Sequence, residues 1–424
     1  CGGIYRSLLE AVRRGLLTEE EVTTSVRRTF RARFLLGMFD PPESGPWQRI
    51  SQDVVCSREH RELARQTASQ SLVLLKNNGI LPLSPALNCI GVAGPLALDL
   101  AAMLGNYTGH SPEMTSLLGG LAGVVGNGVT LTYAKGCEIN GGGAVDAEGL
   151  KSLFEPCEVI VACLGYTAEL EGEAGDAFNA DAGGDRKQIG LPGRQQELLE
   201  VLLASGKPVV VVLCSGSPVD LRVAEQRAGA ILCAWYPGEA GGRAVAKALF
   251  GLTNPGGRLP VTFPMRVEDL PPFESYDMSG RTYRYAVHEP LYRFGFGLSY
   301  TTFAYSGLTV DRPTLRPGEA LQVEVTVANT GRLAGDEVAQ IYLEPLAPSV
   351  PAPRWHLEGF ARVHLLPGES RLLRFEVKAA QFRHHTCEGE AFFDAGLYRI
   401  HAGGGQPDDP RAGSLAVEIT LLPT

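Results

Sequence analysis

The residues best suited to chemistry lie between Glu169 and Arg186. Glu169, Glu171 and Glu173 alternate with small or apolar residues, and Asp176, Asp181, Asp185 and Arg186 follow. A carboxyl group in such a stretch, partly withdrawn from water, can have its pKa raised enough to donate a proton near neutral pH. A solvated acidic loop with no chemistry is the plainer alternative, since loops are polar for general reasons.

The elements on either side give the stretch a place. Val159–Leu164 is an apolar, β-branched run closed by Gly165, the pattern of a buried parallel strand. From Pro192 the pattern becomes helical, with Leu198, Leu199, Leu202 and Leu203 recurring on one face. The connection between them is roughly 25 residues, where about 2–6 would be usual. A loop leaving the C-terminal end of a parallel strand faces the crevice where such sheets bind ligands.

Further strands are expected at Cys89–Ala93, Val129–Tyr133, Val209–Cys214 and Ala230–Trp235, with helices between them near 96–104, 145–155, 218–227 and 239–250. Another helix is expected from His60 to Leu75. This alternation over 60–255 predicts an α/β domain, a mostly parallel sheet covered on both faces. Upstream, residues 4–40 read as two helices, the second opened by a capping signature at Thr18 and ending at Gly37. Within 1–45 they look like the last piece of a preceding domain. Residues 256–305, rich in Pro, Gly and Tyr, read as an extended linker wrapped on the domain surface. Beyond it, over 306–424, Leu321, Val323, Val325 and Val327 alternate with polar residues, and similar runs recur at hairpin spacing. That texture predicts an all-β sandwich of fibronectin or immunoglobulin type.

Composition excludes several functions. At 424 residues the chain is too long for one ordinary domain, and its 44% apolar content supplies ample core. A net charge of −9 argues against nucleic acid as a partner. Its longest apolar runs are strand-length, which argues against a membrane span. The nine cysteines are scattered, without a Cys-x-x-Cys pair or zinc spacing, and several sit in strand-like runs where buried free thiols are expected. No cofactor or metal is implied, and His384-His385 reads as a surface pair. No glycine-rich phosphate loop supports a nucleotide reading.

The chain resembles the C-terminal two-thirds of the family-three glycoside hydrolases, especially their β-xylosidase-like branch. The matching stretches are LARQTASQSLVLLKNNGILPL (63–83), GNYTG (105–109), the ELEGE loop with GGDR and LPGRQQELL (169–199), GKPVVVVL (206–213), AWYPGEAGG (234–242), NPGGRLPVTFP (254–264) and YRFGFGLSYTTF (292–303). They run in collinear order over nearly the whole length.

The resemblance implies a (β/α)₈ barrel, then an α/β sandwich domain, then a fibronectin type III-like domain, with the active site between the first two. It implies a retaining exo-acting β-glycosidase, first a β-xylosidase, acting on xylan-derived or related oligosaccharides. A barrel aspartate would attack the anomeric carbon and a glutamate of the acidic loop would protonate the leaving oxygen, the two carboxyl groups about 5–5.5 Å apart. For that glutamate Glu171 comes first, Glu173 second and Glu169 third. Arg186 and Asp185 are candidates for substrate contact, although an ion pair steadying the loop is the commoner use of such an arginine. Trp235 could wall a sugar ring, although packing at a strand end is the more frequent fate of tryptophan. Asn106, Tyr107 and His110 lie in a further loop on the same expected edge.

The nucleophile's Ser-Asp-Trp-like motif has no counterpart here, and most of the barrel is absent. Double displacement needs that carboxylate, so the chain is expected to be the acid/base half of an enzyme and inactive alone. A carbohydrate-binding or structural module without catalysis is the alternative. Compartment stays open at this level, an extracellular or secreted setting being one reading.

Overall fold

A computed structural model describes residues 3–109, 111–126, 128–172, 186–386 and 388–423. The chain divides into two compact units, residues 1–61 and 62–424. In the smaller, α1 (Leu8–Arg13) is followed by α2 (Glu19–Leu35), which opens on a complete capping box between Thr18 and Glu21. Neither helix buries a residue, and Phe34, Leu35 and Leu36 are exposed.

The larger unit begins within α3 (Arg58–Ser71). Six strands follow: β1 (Val73–Asn77), β2 (Cys89–Ala93), β3 (Thr130–Ala134), β4 (Val159–Gly165), β5 (Val209–Cys214) and β6 (Ala230–Cys233). Their order across the sheet is β1-β6-β5-β4-β2-β3, with β2 to β6 parallel and β1 antiparallel on the edge. Side chains along β4 alternate between two cores. Ile160, Ala162 and Leu164 face the layer of α5 (Ala147–Leu153), α6 (Gln195–Ala204) and α7 (Arg222–Arg227). Val159, Val161 and Cys163 face α3, α4 (Leu117–Ala122) and α8 (Gly241–Leu249). A strand covered on both faces has no polar side, which is why it reads as a continuous apolar run.

Three expectations about this part of the chain need correction. The helix expected to reach Leu75 stops at Ser71, and Val73–Asn77 is a strand. Leu72–Leu75 is apolar at every position, and burial on both sides at the sheet edge suits a strand rather than one helical stripe. The segment expected as a helix near 96–104 contains only a single 3₁₀ turn, Ala101–Met103. The linker is more than a surface wrapping: Leu259, Phe263, Tyr292 and Phe296 are core residues, and the Leu298 N–H bonds the Leu74 carbonyl on the free side of β1.

The last part is a sandwich of two antiparallel-rich sheets. One carries His356–Leu365, Gly335–Pro345, Gly396–Gly403, Leu415–Leu421 and Thr314–Leu315 in that order, and the other Ser370–Lys378, Ala320–Asn329 and Phe303–Val310. Leu321, Val323, Val325 and Val327 are fully buried between the sheets, as their alternation predicts. The linker stitches this sandwich to the α/β domain. Arg258 pairs with Glu337 at 2.6 Å, both deeply buried, and Tyr305 donates to the same carboxylate at 2.6 Å. His384 departs from expectation: it is buried, with its ring edge-on to Phe392 and Tyr398 and Nδ1 3.3 Å from Asp394, while His385 alone is exposed.

Candidate active site

Neighbouring strands β4, β5 and β6 end at one edge, and the residues just after them meet. After β4, Gly165 turns the chain with φ +131°, and a Cβ there would lie 1.8 Å from the Cys214 carbonyl oxygen, so only glycine fits. Gln195, 30 positions on and fully buried, clamps this point. Its Oε1 accepts from the Gly165 N–H at 2.7 Å, and its Nε2 donates to the Gly165 carbonyl at 2.8 Å and the Ile139 carbonyl at 2.9 Å. The Thr167 carbonyl then accepts from Leu170 and Glu171, and buried Leu170 pins the turn into the core.

That turn delivers Glu171 to a set of donors. Arg186 Nη1 pairs with Oε1 at 2.9 Å, and the Gly216 N–H donates to Oε2 at 2.6 Å. The Ser217 hydroxyl donates to Oε1 and the Tyr236 phenol to Oε2. Ser215 Oγ lies 3.3 Å from Oε1, its proton engaged at 2.7 Å by the Ser217 carbonyl. Glu171 and Arg186 side chains are only 9% and 13% exposed, so the pair acts in a low-dielectric setting where charge-assisted bonds are strong. Arg186 also donates to the Pro218 carbonyl at 2.6 Å and lies 4.1 Å above the Tyr166 ring. Burial and the neighbouring Glu171 carboxylate push the Tyr236 phenol far above its ordinary range, so it stays a donor.

The ion pair thus joins residues on either side of 173–185. Beside it opens a cleft of about 390 Å³ lined by Glu171, Arg186, Lys187, Ser217, Thr262 and Leu270 among others. Of the sequence candidates, the structure brings Glu171 and Arg186 together. Glu173, Asp185 and His110 lie outside the described residues. Trp235 is not brought to the cleft: its indole N–H bonds the Ser71 carbonyl at 3.1 Å and its ring meets Phe263 edge-on. Glu169 and Tyr107 are exposed, and the loop at Gly105 comes within 3.6 Å of Tyr236 when a Cβ is placed there. No group of three potential metal ligands occurs among the described residues.

Sequence reasoning missed Tyr236, Gly216, Ser217 and Gln195. Their signal was available: Tyr236 follows Trp235 after β6, Ser215-Gly216-Ser217 is the turn after the preceding strand β5, and Gln195 is a polar residue on an otherwise apolar helical face. What it lacked was the strand order that makes β4, β5 and β6 neighbours.

Comparison with known proteins agrees with this architecture. Residues 72–300 match the glycosyl hydrolase family 3 C-terminal domain, and residues 337–406 a fibronectin type III-like domain. A periplasmic β-glucosidase of Salmonella typhimurium is 34% identical over 92% of this chain and 55% of its own length. A β-xylosidase of Formosa agariphila is 34% identical over 94% of this chain and 55% of its own. A solved β-glucosidase from Erythrobacter marinus superposes with a TM-score of 0.85 at 35% identity, covering 100% of this chain and 58% of that one. The chain therefore spans little more than half the length of these relatives. A match of sequence and fold through both of its larger domains makes the chain a member of glycosyl hydrolase family 3.

Proposed function

We propose that this chain is the acid/base half of a retaining exo-β-glycosidase, first a β-xylosidase, acting on xylan-derived or related oligosaccharides. The nucleophilic carboxylate belongs to a barrel domain, a part of the relatives' length that this chain does not span. The observation that carries the reading is the anchored acidic connection: Glu171 and Arg186 pair at 2.9 Å at the C-terminal edge of the parallel sheet, beside an open cleft. The relatives, a β-glucosidase and a β-xylosidase, support the reaction class. The exposed apolar residues of α2 suit a helix that packs against further chain.

Within the connection, roles divide by chemistry. Glu171 has its lone pairs engaged by a guanidinium, a backbone N–H and two hydroxyls, an arrangement that holds a loop rather than one that releases a proton to substrate. Glu171 is therefore assigned to positioning and Glu173, two residues further, to proton donation. In the first step the acid protonates the glycosidic oxygen as the nucleophile forms a glycosyl ester, and its conjugate base then activates water.

The test uses the longest natural chain that contains these residues. Turnover of xylobiose should release xylose first as the β-anomer, followed by NMR, and Glu173→Gln should lower kcat by about 10²–10⁴-fold. Sugar binding with no turnover would favour the alternative, a carbohydrate-binding module, and first release of the α-anomer would exclude a retaining reaction.

A further inference from the structure

We propose that Cys89 and Cys157 are a disulfide site, a covalent staple between the entry ends of β2 and β4 that forms with a thiol–disulfide oxidant. Cys89 opens β2, and Cys157 lies in the turn between α5 and β4. Their sulfurs are 3.0 Å apart, about 1 Å more than a disulfide bond, so small side-chain rotations bring them to bonding distance. The backbones that carry them are already fixed side by side. The Glu158 N–H donates to the Cys89 carbonyl at 3.0 Å, and the Glu158 carboxylate accepts from the Asn88 and Cys89 N–H groups at 2.5 and 3.2 Å. The Cys157 N–H is held by the Phe154 carbonyl at 3.0 Å. Parallel register continues from this point, with Ile90 opposite Val159.

A metal reading is not favoured, because no group of three metal-ligating side chains exists among the described residues. Nor is the pair part of the site above. It sits at the N-terminal end of β4, about 20 Å of extended strand from Gly165.

Cys89 is the more exposed of the two residues, 8% against 1% for Cys157. Its thiolate attacks one sulfur of oxidised glutathione, forming a mixed disulfide and releasing one glutathione thiolate. The Cys157 thiolate then attacks the Cys89 sulfur, forming the Cys89–Cys157 bond and releasing the second. Two protein thiols are oxidised, one small disulfide is reduced to two thiols, and both protons end in solvent or on glutathione. Burial and the neighbouring Cys89 push the Cys157 thiol up to about 11, so closure is faster in mildly alkaline buffer or during folding than in the native state at neutral pH.

The test is oxidative refolding of the whole chain with glutathione and oxidised glutathione, alkylation without reduction, and peptide mass mapping. A linked species containing Cys89 and Cys157, lighter by two hydrogens, is expected. Because the bond closes a loop between residues 68 positions apart, the oxidised protein should melt about 5–10 °C above the reduced one. Dithiothreitol should abolish that shift, and Cys157→Ser should lack it. Finding both cysteines alkylated, or either joined to a different cysteine, would overturn the proposal. Mapping on the wild-type chain reads the answer even where a serine variant folds poorly.

Discussion

At Glu171 and Arg186 two opposite charges face each other almost out of water. Removing one leaves the other buried and uncompensated, which is far costlier than losing an exposed pair. Arg186→Ala should destabilise the chain by about 3–5 kcal/mol in urea unfolding. The paired change Glu171→Gln with Arg186→Met should cost less than the sum of its single changes, because each single variant strands a charge that the double variant removes. Additive losses would show that the two side chains act independently. Both residues were legible in the sequence as chemistry-bearing types, and Arg186 as a partner for a neighbouring carboxylate. Which donors surround Glu171 was not legible, because Gly216, Ser217 and Tyr236 arrive from two other strands.

The helix α6 and strand β4 are locked together through one side chain. Gln195→Leu keeps the size of Gln195 and removes every bond it makes, leaving the Gly165 N–H and the Gly165 and Ile139 carbonyls without their partner. A loss of at least about 2 kcal/mol is expected in urea unfolding, since each buried group left unpaired costs about 1–3 kcal/mol. A neutral result would mean that water or a shifted backbone replaces the amide.

In the sandwich, burial holds the His384 imidazole below its ordinary value, with His356 and His385 adding repulsion and Asp394 opposing them. The folded chain therefore stays unprotonated there while the unfolded chain takes up a proton below about pH 6.5. Stability should fall on acidification through that value and level off once the folded form also protonates. His384→Gln should flatten the decline in midpoint denaturant between about pH 7 and 5, whereas an unchanged slope would assign the pH dependence elsewhere. Reading His384 as a surface residue from its neighbour failed because alternation puts adjacent strand residues on opposite faces.

Across the molecule, the α/β and all-β textures were visible because buried parallel strands and half-buried sandwich strands leave different patterns. Strand order, the antiparallel edge strand at Val73–Asn77 and the core role of the linker were not, since each depends on contacts between residues far apart in sequence. The proposed division of labour between Glu171 and Glu173 rests on the donors that this long-range geometry gathers around Glu171. It is tested most directly in the longest natural chain by turnover of an aryl β-xyloside with a good leaving group, with and without azide. Such a substrate needs no proton donor for its first step, and azide replaces the water that a missing base would activate. Glu173→Ala should be accelerated by azide and yield the glycosyl azide, while Glu171→Ala should lose activity with no rescue. Rescue of Glu171→Ala, with Glu173→Ala left unaffected, would contradict the assignment and make Glu171 the proton donor.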